Sequence, residues 1–522
     1  MSARYQDGDF KSVPVKGRAN RSRAFMSNAL WSLCLQVVTL AVGFIVPQVI
    51  IRTYGSETNG LVSSLTQLVG YISLVESGIS AAAVFALYGP ISRGDTRQIS
   101  IVVSSAKRFY YKSGGIFTVA ALVLAACYPI VVKMSVLTPP RVFVLVLSLC
   151  ATGFLDFFTL AKYRVLLTAD QKNWVIQVAT IVYKILYALV VVLVAGKGAS
   201  VEVVYLSAIA PILVRSVVLI VYARKVFPEV DFNADSSGFN LAQRWDALYM
   251  QILGAVQNGA PIVIATFVTE DLTMVSVFSV YLLVANGVRN AVSSVTQGTQ
   301  ASFGDVIARG QSDTLRRAFG EFQVLSYSAA SVLCSVAFVL IMPFITLYTD
   351  GIDCVRYYYM SIGYLSILEV LLYHLKTPQG LLVIAAGMYH ETRIQTTIQA
   401  VVLLVFSVVL GSRWGVSGIL IGVCISDLYR TIDWMFFVPR RITHTQPIQT
   451  FKLIVLCLLS CVLTCAPFVM VGVSCANWLE WVAWGIAIGV WGVIVCIVLY
   501  GMCSRAEMVA LLNRAAKIVH RA

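Results

Sequence analysis

From residue 26 to residue 502 the sequence keeps returning to apolar runs about twenty residues long, the length that crosses a bilayer core as a helix. The runs fall near 26–51, 59–88, 114–133, 141–161, 173–195, 201–223, 246–268, 272–302, 321–348, 357–386, 394–411, 415–438, 451–473 and 478–502. That makes about fourteen expected spans. All are expected to be helical, because lipid offers no partners to an open strand, and the alternation of a membrane barrel is absent. Only 12% of the residues are charged and 58% are hydrophobic, whereas soluble domains carry about 25% charged residues. The net charge of +14 therefore belongs to loops between spans, and nucleic-acid binding is not expected.

The basic residues orient the spans. One side holds the N-terminal tail (Arg4 to Arg23), the loop with Arg93, Arg97, Lys107, Arg108 and Lys112, and Lys162, Arg164 and Lys172. It also holds Arg224, Lys225 and Arg244, Arg309 to Arg317, Arg393, Arg430 to Lys452 and the C-terminal cations. The other side has Arg52, Lys133, Arg141, Lys197, Arg356 and Arg413. The bias is about five to one, which makes both termini cytoplasmic.

The polar stretch 228–245 separates six spans from the next eight. "TYGSETNGLVSS" at 53–64 can be laid on "TFVTEDLTMVSVFS" at 266–279, pairing Glu57 with Glu270 and Ser63 with Ser276. The expected domains are a basic tail (1–25), a six-helix bundle (26–227), a linker (228–245), a second six-helix bundle (246–441) and an accessory helix pair with a tail (442–522). Six spans per half is even, so the halves would be related by a pseudo-two-fold along the membrane normal.

Several spans carry polar residues on one face at three- and four-residue spacing. Examples are Asn28, Ser32, Gln36, Thr39 and Gly43; Thr152, Asp156 and Thr159; Asn286, Arg289, Asn290 and Ser293; and Ser366, Glu369, Tyr373 and Lys376. A charge at mid-bilayer costs about 2.5–3.5 kcal/mol even on the lenient insertion scale. Glu76, Asp156, Lys184, Arg215, Arg289, Glu369 and Lys376 must therefore face one another or water. Some would be structural pairs, with Glu369 and Lys376 one candidate. Their spread over both halves favours a shared hydrophilic cavity. Substrate-binding candidates are Arg289, Arg215, Lys184, Lys376, Asn286, Asn290, Gln36 and Asn258; ion-coupling candidates are Glu76, Asp156 and Glu369. The small cationic excess favours an anionic or strongly polar cargo, and the amide and hydroxyl lining suits sugars.

"NALWSLCLQVVTLAVGFIVPQVIIRTYGSETNGLVSSLTQLVGYISLVESGI" at 28–79, with its YG-x-E-x-NG turn at 54–60 and the following "GISAAAVFALYGPI", resembles the opening of bacterial polysaccharide flippases of the O-antigen and capsule type. Their superfamily also holds the peptidoglycan-precursor lipid flippases and the multidrug and toxin exporters. The resemblance implies two six-helix bundles around a central cavity in the cytoplasmic membrane. By alternating access that cavity would move an undecaprenyl-diphosphate-linked oligosaccharide. It also implies membrane lipids as surroundings, and a polysaccharide polymerase and glycosyltransferases as pathway partners.

No cofactor is expected, and coupling to a proton or sodium gradient is open. A GxxxxGK[ST] loop is missing, and His390-Glu391 lacks the second histidine of HExxH, so neither ATP hydrolysis nor zinc proteolysis is indicated. Asp7-Gly8-Asp9 lies in the tail without a sugar-nucleotide domain. The twelve cysteines include no CxxC pair and mostly lie inside apolar runs as small core residues, with a bridge between Cys354 and Cys475 left open. Two rival functions stay open: a cation-coupled multidrug exporter, and a membrane-embedded polysaccharide polymerase or ligase. The latter usually needs a sizeable outward loop, and the outward loops here are short.

Overall fold

The computed structural model describes residues 18–74, 77–132, 134–235, 245–296, 299–352, 355–388 and 390–519. Among them all regular structure is helical. The first half comprises α1 (Arg18–Tyr54), α2 (Ser56–Ser73), α3 (Ser77–Arg93), α4 (Thr96–Val131), α5 (Pro139–Leu155), α6 (Ala161–Ala169), α7 (Asn173–Gly196), α8 (Val201–Ser207) and α9 (Ile209–Val226). The second half comprises α10 (Trp245–Thr269), α11 (Leu272–Thr296), α12 (Thr299–Ala308), α13 (Ser312–Tyr348), α14 (Met360–Ala385) and α15 (Arg393–Val438). Then come α16 (Pro447–Val471), α17 (Trp478–Cys503) and α18 (Arg505–Val519), the last a helix where only a tail was expected.

Twelve described helices are long and apolar enough to cross a membrane. The expected span 59–88 is divided between α2 and α3, with Glu76 outside the described residues. The expected spans 394–411 and 415–438 are the two arms of α15. Gly415 lies at φ +58°, ψ −141°, a backbone conformation that L side chains rarely adopt, and there the helix doubles back. Four bonds join the arms in antiparallel register: Ser407 Oγ to the Ile419 carbonyl at 3.1 Å, Ser426 Oγ to the Gln399 carbonyl at 2.9 Å, Gln399 Nε2 to Asp427 Oδ1 at 3.2 Å, and Arg430 Nη2 to Thr396 Oγ1 at 2.6 Å.

The buried apolar side chains form two large clusters. One is built around Phe117, Leu145 and Phe157 of the first half, the other around Phe278, Tyr327 and Ile345 of the second. The accessory helices join the second cluster through a ladder of thiols. Cys457, Cys461 and Cys465 on α16 approach the carbonyls of Tyr327, Ser331 and Ser335 on α13 at 3.5, 3.8 and 3.8 Å. The constant sequence offset means that the two helices run parallel. These cysteines act as small packing residues, as expected; Cys354 lies outside the described residues.

The halves meet most closely where α2 crosses α11. A Cβ on Gly60 would fall 1.7 Å from the Leu272 carbonyl oxygen, so only glycine allows the crossing. Beside it Asn59 Nδ2 donates to Ser276 Oγ (2.9 Å) and Ser279 Oγ (3.2 Å), Ser56 Oγ meets the Tyr357 hydroxyl at 2.7 Å, and Thr266 Oγ1 donates to Ser64 Oγ at 2.9 Å. Farther along, Arg52 Nη2 donates to the Asp350 carbonyl (3.1 Å) and the Tyr348 hydroxyl to that of Phe44 (2.7 Å). All these bonds lie toward the end of the molecule with few basic loops. At the basic end, the bonds stay within a half: Asn28 Nδ2 to the Gln171 carbonyl, Tyr249 with Thr397, and Arg316 Nε to the Thr443 carbonyl. Among the described residues, the molecule is stitched shut across its halves at one end only.

Candidate functional site

Below that seal lies a cavity of about 510 Å³ between the halves, walled by α1, α2, α5, α7, α8, α9, α10 and α11. Lys184 and Asn286, both singled out from sequence, line it together with Thr39, Thr152, Tyr183 and Ser279. Gln36 sits on α1 one turn nearer the basic end than Thr39, half-buried, and Asn290 is exposed one turn beyond Asn286. The cavity is therefore polar on faces contributed by both halves.

Behind the first-half wall is a cluster of cations. Arg215 Nη2 lies 3.4 Å from Asp156 Oδ1, and Arg164 Nη1 lies 3.3 Å from Asp156 Oδ2. The Tyr183 ring, which lines the cavity, packs at 5.8 Å from the Arg215 guanidinium. Asp156 starts a π-helical turn, Asp156–Leu160, which inserts an extra residue between α5 and α6 and re-aims the side chains that follow. Among the described residues no carboxylate comes within salt-bridge distance of Lys184. Two arginines thus converge on one carboxylate, and the lysine beside them adds a further charge, which makes the wall positive.

The second half is arranged differently. Arg289 Nη2 donates to both oxygens of Glu369 at 2.6 Å, Nη1 donates to Asn258 Oδ1 at 3.1 Å, and the guanidinium stacks 4.6 Å over Tyr373. Lys376 pairs with Asp427, which also accepts from Gln399 Nε2 at 3.2 Å. Arg430, 1% exposed, pairs with Asp433 at 2.8 Å. Here each of these three buried cations has its own carboxylate.

Several sequence expectations are corrected by this geometry. Glu369 and Lys376 are not partners. Seven residues separate them by about 10 Å along one helix, so each reaches across to a neighbouring helix instead. Arg430 is not a loop cation, since α15 buries it. Of Arg215, Arg289 and Lys184, only Lys184 lines the described central cavity, while Arg215 packs on Tyr183 and Arg289 is held by Glu369. Asp427 and Asp433 were missed from the sequence. The signal was there, since Asp427, Arg430 and Asp433 recur at three-residue spacing inside an apolar run. No metal-ligating cluster of histidine, cysteine or carboxylate occurs among the described residues.

Neither a family model nor a curated protein matches the sequence. Solved structures do match in shape. A multidrug resistance MATE family transporter of the MOP superfamily, in an inward-facing conformation, superposes with a TM-score of 0.63 at 13% identity, covering 80% of this chain and 98% of that one. The lipid II flippase MurJ, in an inward closed conformation, gives 0.63 at 11% identity, over 91% and 99% of the two chains. The MATE multidrug transporter DinF-BH gives 0.54 at 14% identity, over 84% and 100%. The fold is that of these membrane transporters. At such identities the likeness reaches the architecture, and the cargo must be argued from the cavity.

Proposed function

We propose that the protein is a flippase of this superfamily that carries an undecaprenyl-diphosphate-linked oligosaccharide across the cytoplasmic membrane, with both termini cytoplasmic. The observation that carries the reading is Lys184 in the cavity wall, with no described carboxylate in reach, backed by Arg215 and Arg164 where they converge on Asp156. A lipophilic cation would be repelled by such a wall, whereas a diphosphate would find charge-assisted donors there. Transport by alternating access needs a cavity closed at one end, and the stitched end opposite the basic loops supplies it. The multidrug-exporter reading keeps one support, the equal likeness to a MATE transporter.

The test is flipping of undecaprenyl-diphosphate-linked oligosaccharide in proteoliposomes, with a fluorescent lipophilic cation as the competing cargo. A charge-assisted phosphate contact is worth about 1.5–3 kcal/mol. Lys184→Ala should therefore slow lipid flipping at least about tenfold while the protein remains folded. Undiminished flipping by the variant, or transport of the cation alone, overturns the reading. Asp156 and Glu369 are the described candidates for ion coupling. Because arginines hold both, a coupling proton would reach them only when those pairs open.

A further inference from the structure

A second cavity of about 320 Å³ lies inside the second half, between α10, α14 and both arms of α15. It shares no lining residue with the central cavity. Its size falls within the roughly 300–1,000 Å³ of small-molecule sites. Part of the wall is built from groups that are themselves buried: Gln399 is 2% exposed, Lys376 5% and Thr396 6%. Trp434 stands among them, its indole 4.3 Å from the Arg430 guanidinium. The ring edge presses on Gly380, where a Cβ would fall 2.4 Å from it, so the indole is fixed in place. Trp434 Nε1 is nevertheless buried without a hydrogen-bond partner.

A buried indole N–H usually has an acceptor, so one left open beside a cavity points to something that occupies it. The charges of the wall restrict what that is. Lys376 is neutralised by Asp427 and Arg430 by Asp433, so the pocket holds no excess charge to attract a phosphate. What remains is an aromatic edge with amide and hydroxyl groups: Gln257, Gln399, Thr377 and Thr396. The Thr377 and Thr396 hydroxyls already donate to the Tyr373 and Thr392 carbonyls and are left as acceptors. The Trp434 N–H and the Gln257 and Gln399 amides can donate to the hydroxyls of a neutral ring whose carbons the apolar parts cover.

We propose that this pocket is a saccharide subsite, which receives an uncharged sugar unit of the cargo while the first-half wall holds the anionic part. The proposal rests on the lipid-linked oligosaccharide reading and adds a division of labour: charge is read by the first half, sugar by the second. Tyr373, whose ring stacks under Arg289, also lines the pocket.

The experiment uses the full chain in a detergent without a sugar headgroup. Two probes are titrated separately by saturation-transfer NMR. One is a panel of methyl glycosides of glucose, galactose, N-acetylglucosamine and rhamnose; the other is inorganic pyrophosphate, followed through phosphorus. At least one glycoside should bind saturably. Trp434→Phe, which keeps the ring and removes the N–H, should weaken it about tenfold, and Lys184→Ala should leave it unchanged. Pyrophosphate should show the reverse pattern. If no glycoside of the panel saturates, or the glycoside binds Trp434→Phe as it binds the parent, the subsite is refuted. Should Trp434→Phe fail to fold, Gln257→Ala decides by the same criterion. Glycoside binding without pyrophosphate binding would sink the diphosphate reading and leave the sugar pocket standing.

Discussion

A cation inside a bilayer protein is tolerated only when something answers its charge, and the two halves answer differently. In the second half the answer is a private carboxylate for each of Arg289, Lys376 and Arg430. Removing one member of a buried pair leaves the other uncompensated, which costs about 3–5 kcal/mol. Lys376→Met should therefore lower thermal stability sharply, and Asp427→Asn likewise. The double variant should recover much of the loss, because neither charge is then stranded. Melting curves of the four proteins in one detergent measure this, and strict additivity would mean that the two residues do not act as a pair. At this scale the sequence was partly legible. It showed that Lys184, Arg289 and Glu369 had to be sheltered, because the energy of a charge in hydrocarbon is local. Which partner each would choose depends on how helices distant in sequence pack. Seven-residue spacing made Glu369 and Lys376 look paired, whereas two helical turns hold them about 10 Å apart and each meets a nearer partner on an adjacent helix. Asp156 and Glu369 nonetheless lie 213 residues apart, the displacement that lays Glu57 on Glu270, and each is held by an arginine.

At the level of helices, the outcome turns on a few backbone positions. Gly415 permits the reversal that turns one apolar stretch of 46 residues into two crossing arms. Span length had already divided that stretch around Arg413, a charge between two hydrocarbon-length runs, so the hairpin was legible. The α2–α11 crossing was not, because a glycine with helical dihedrals looks like any other until its neighbour is known. Gly60→Ala puts a methyl group into the Leu272 carbonyl, and rigid backbone on both sides leaves nowhere to move. It should force the crossing apart and lower stability by about 1–3 kcal/mol, the cost of overpacking. It should also expose Asn59 and Ser276, which are now buried. Solvent protection of a cysteine placed at Ser279, with and without Gly60→Ala, reports the change; an unaltered labelling rate would show that the crossing is not tight.

For the molecule as a whole, the asymmetry between its ends matters more than any single contact. Polar bonds fasten the halves together at the end with few basic residues, while at the basic end the described bonds remain inside each half. If that arrangement is one of two alternating states, the fastened end must come apart during each cycle. Arg52 and Asp350 are both exposed there, on different halves, with a side chain of one on the backbone of the other. Arg52→Cys with Asp350→Cys, joined by a short membrane-impermeant bifunctional thiol reagent, should stop flipping in proteoliposomes, and a cleavable form of the reagent should restore it on reduction. Each single variant treated in the same way should keep its activity, which controls for native thiols such as Cys475. Continued flipping by the joined protein would mean that the halves do not separate at this end, and that cargo leaves by a route other than the sealed mouth of the central cavity.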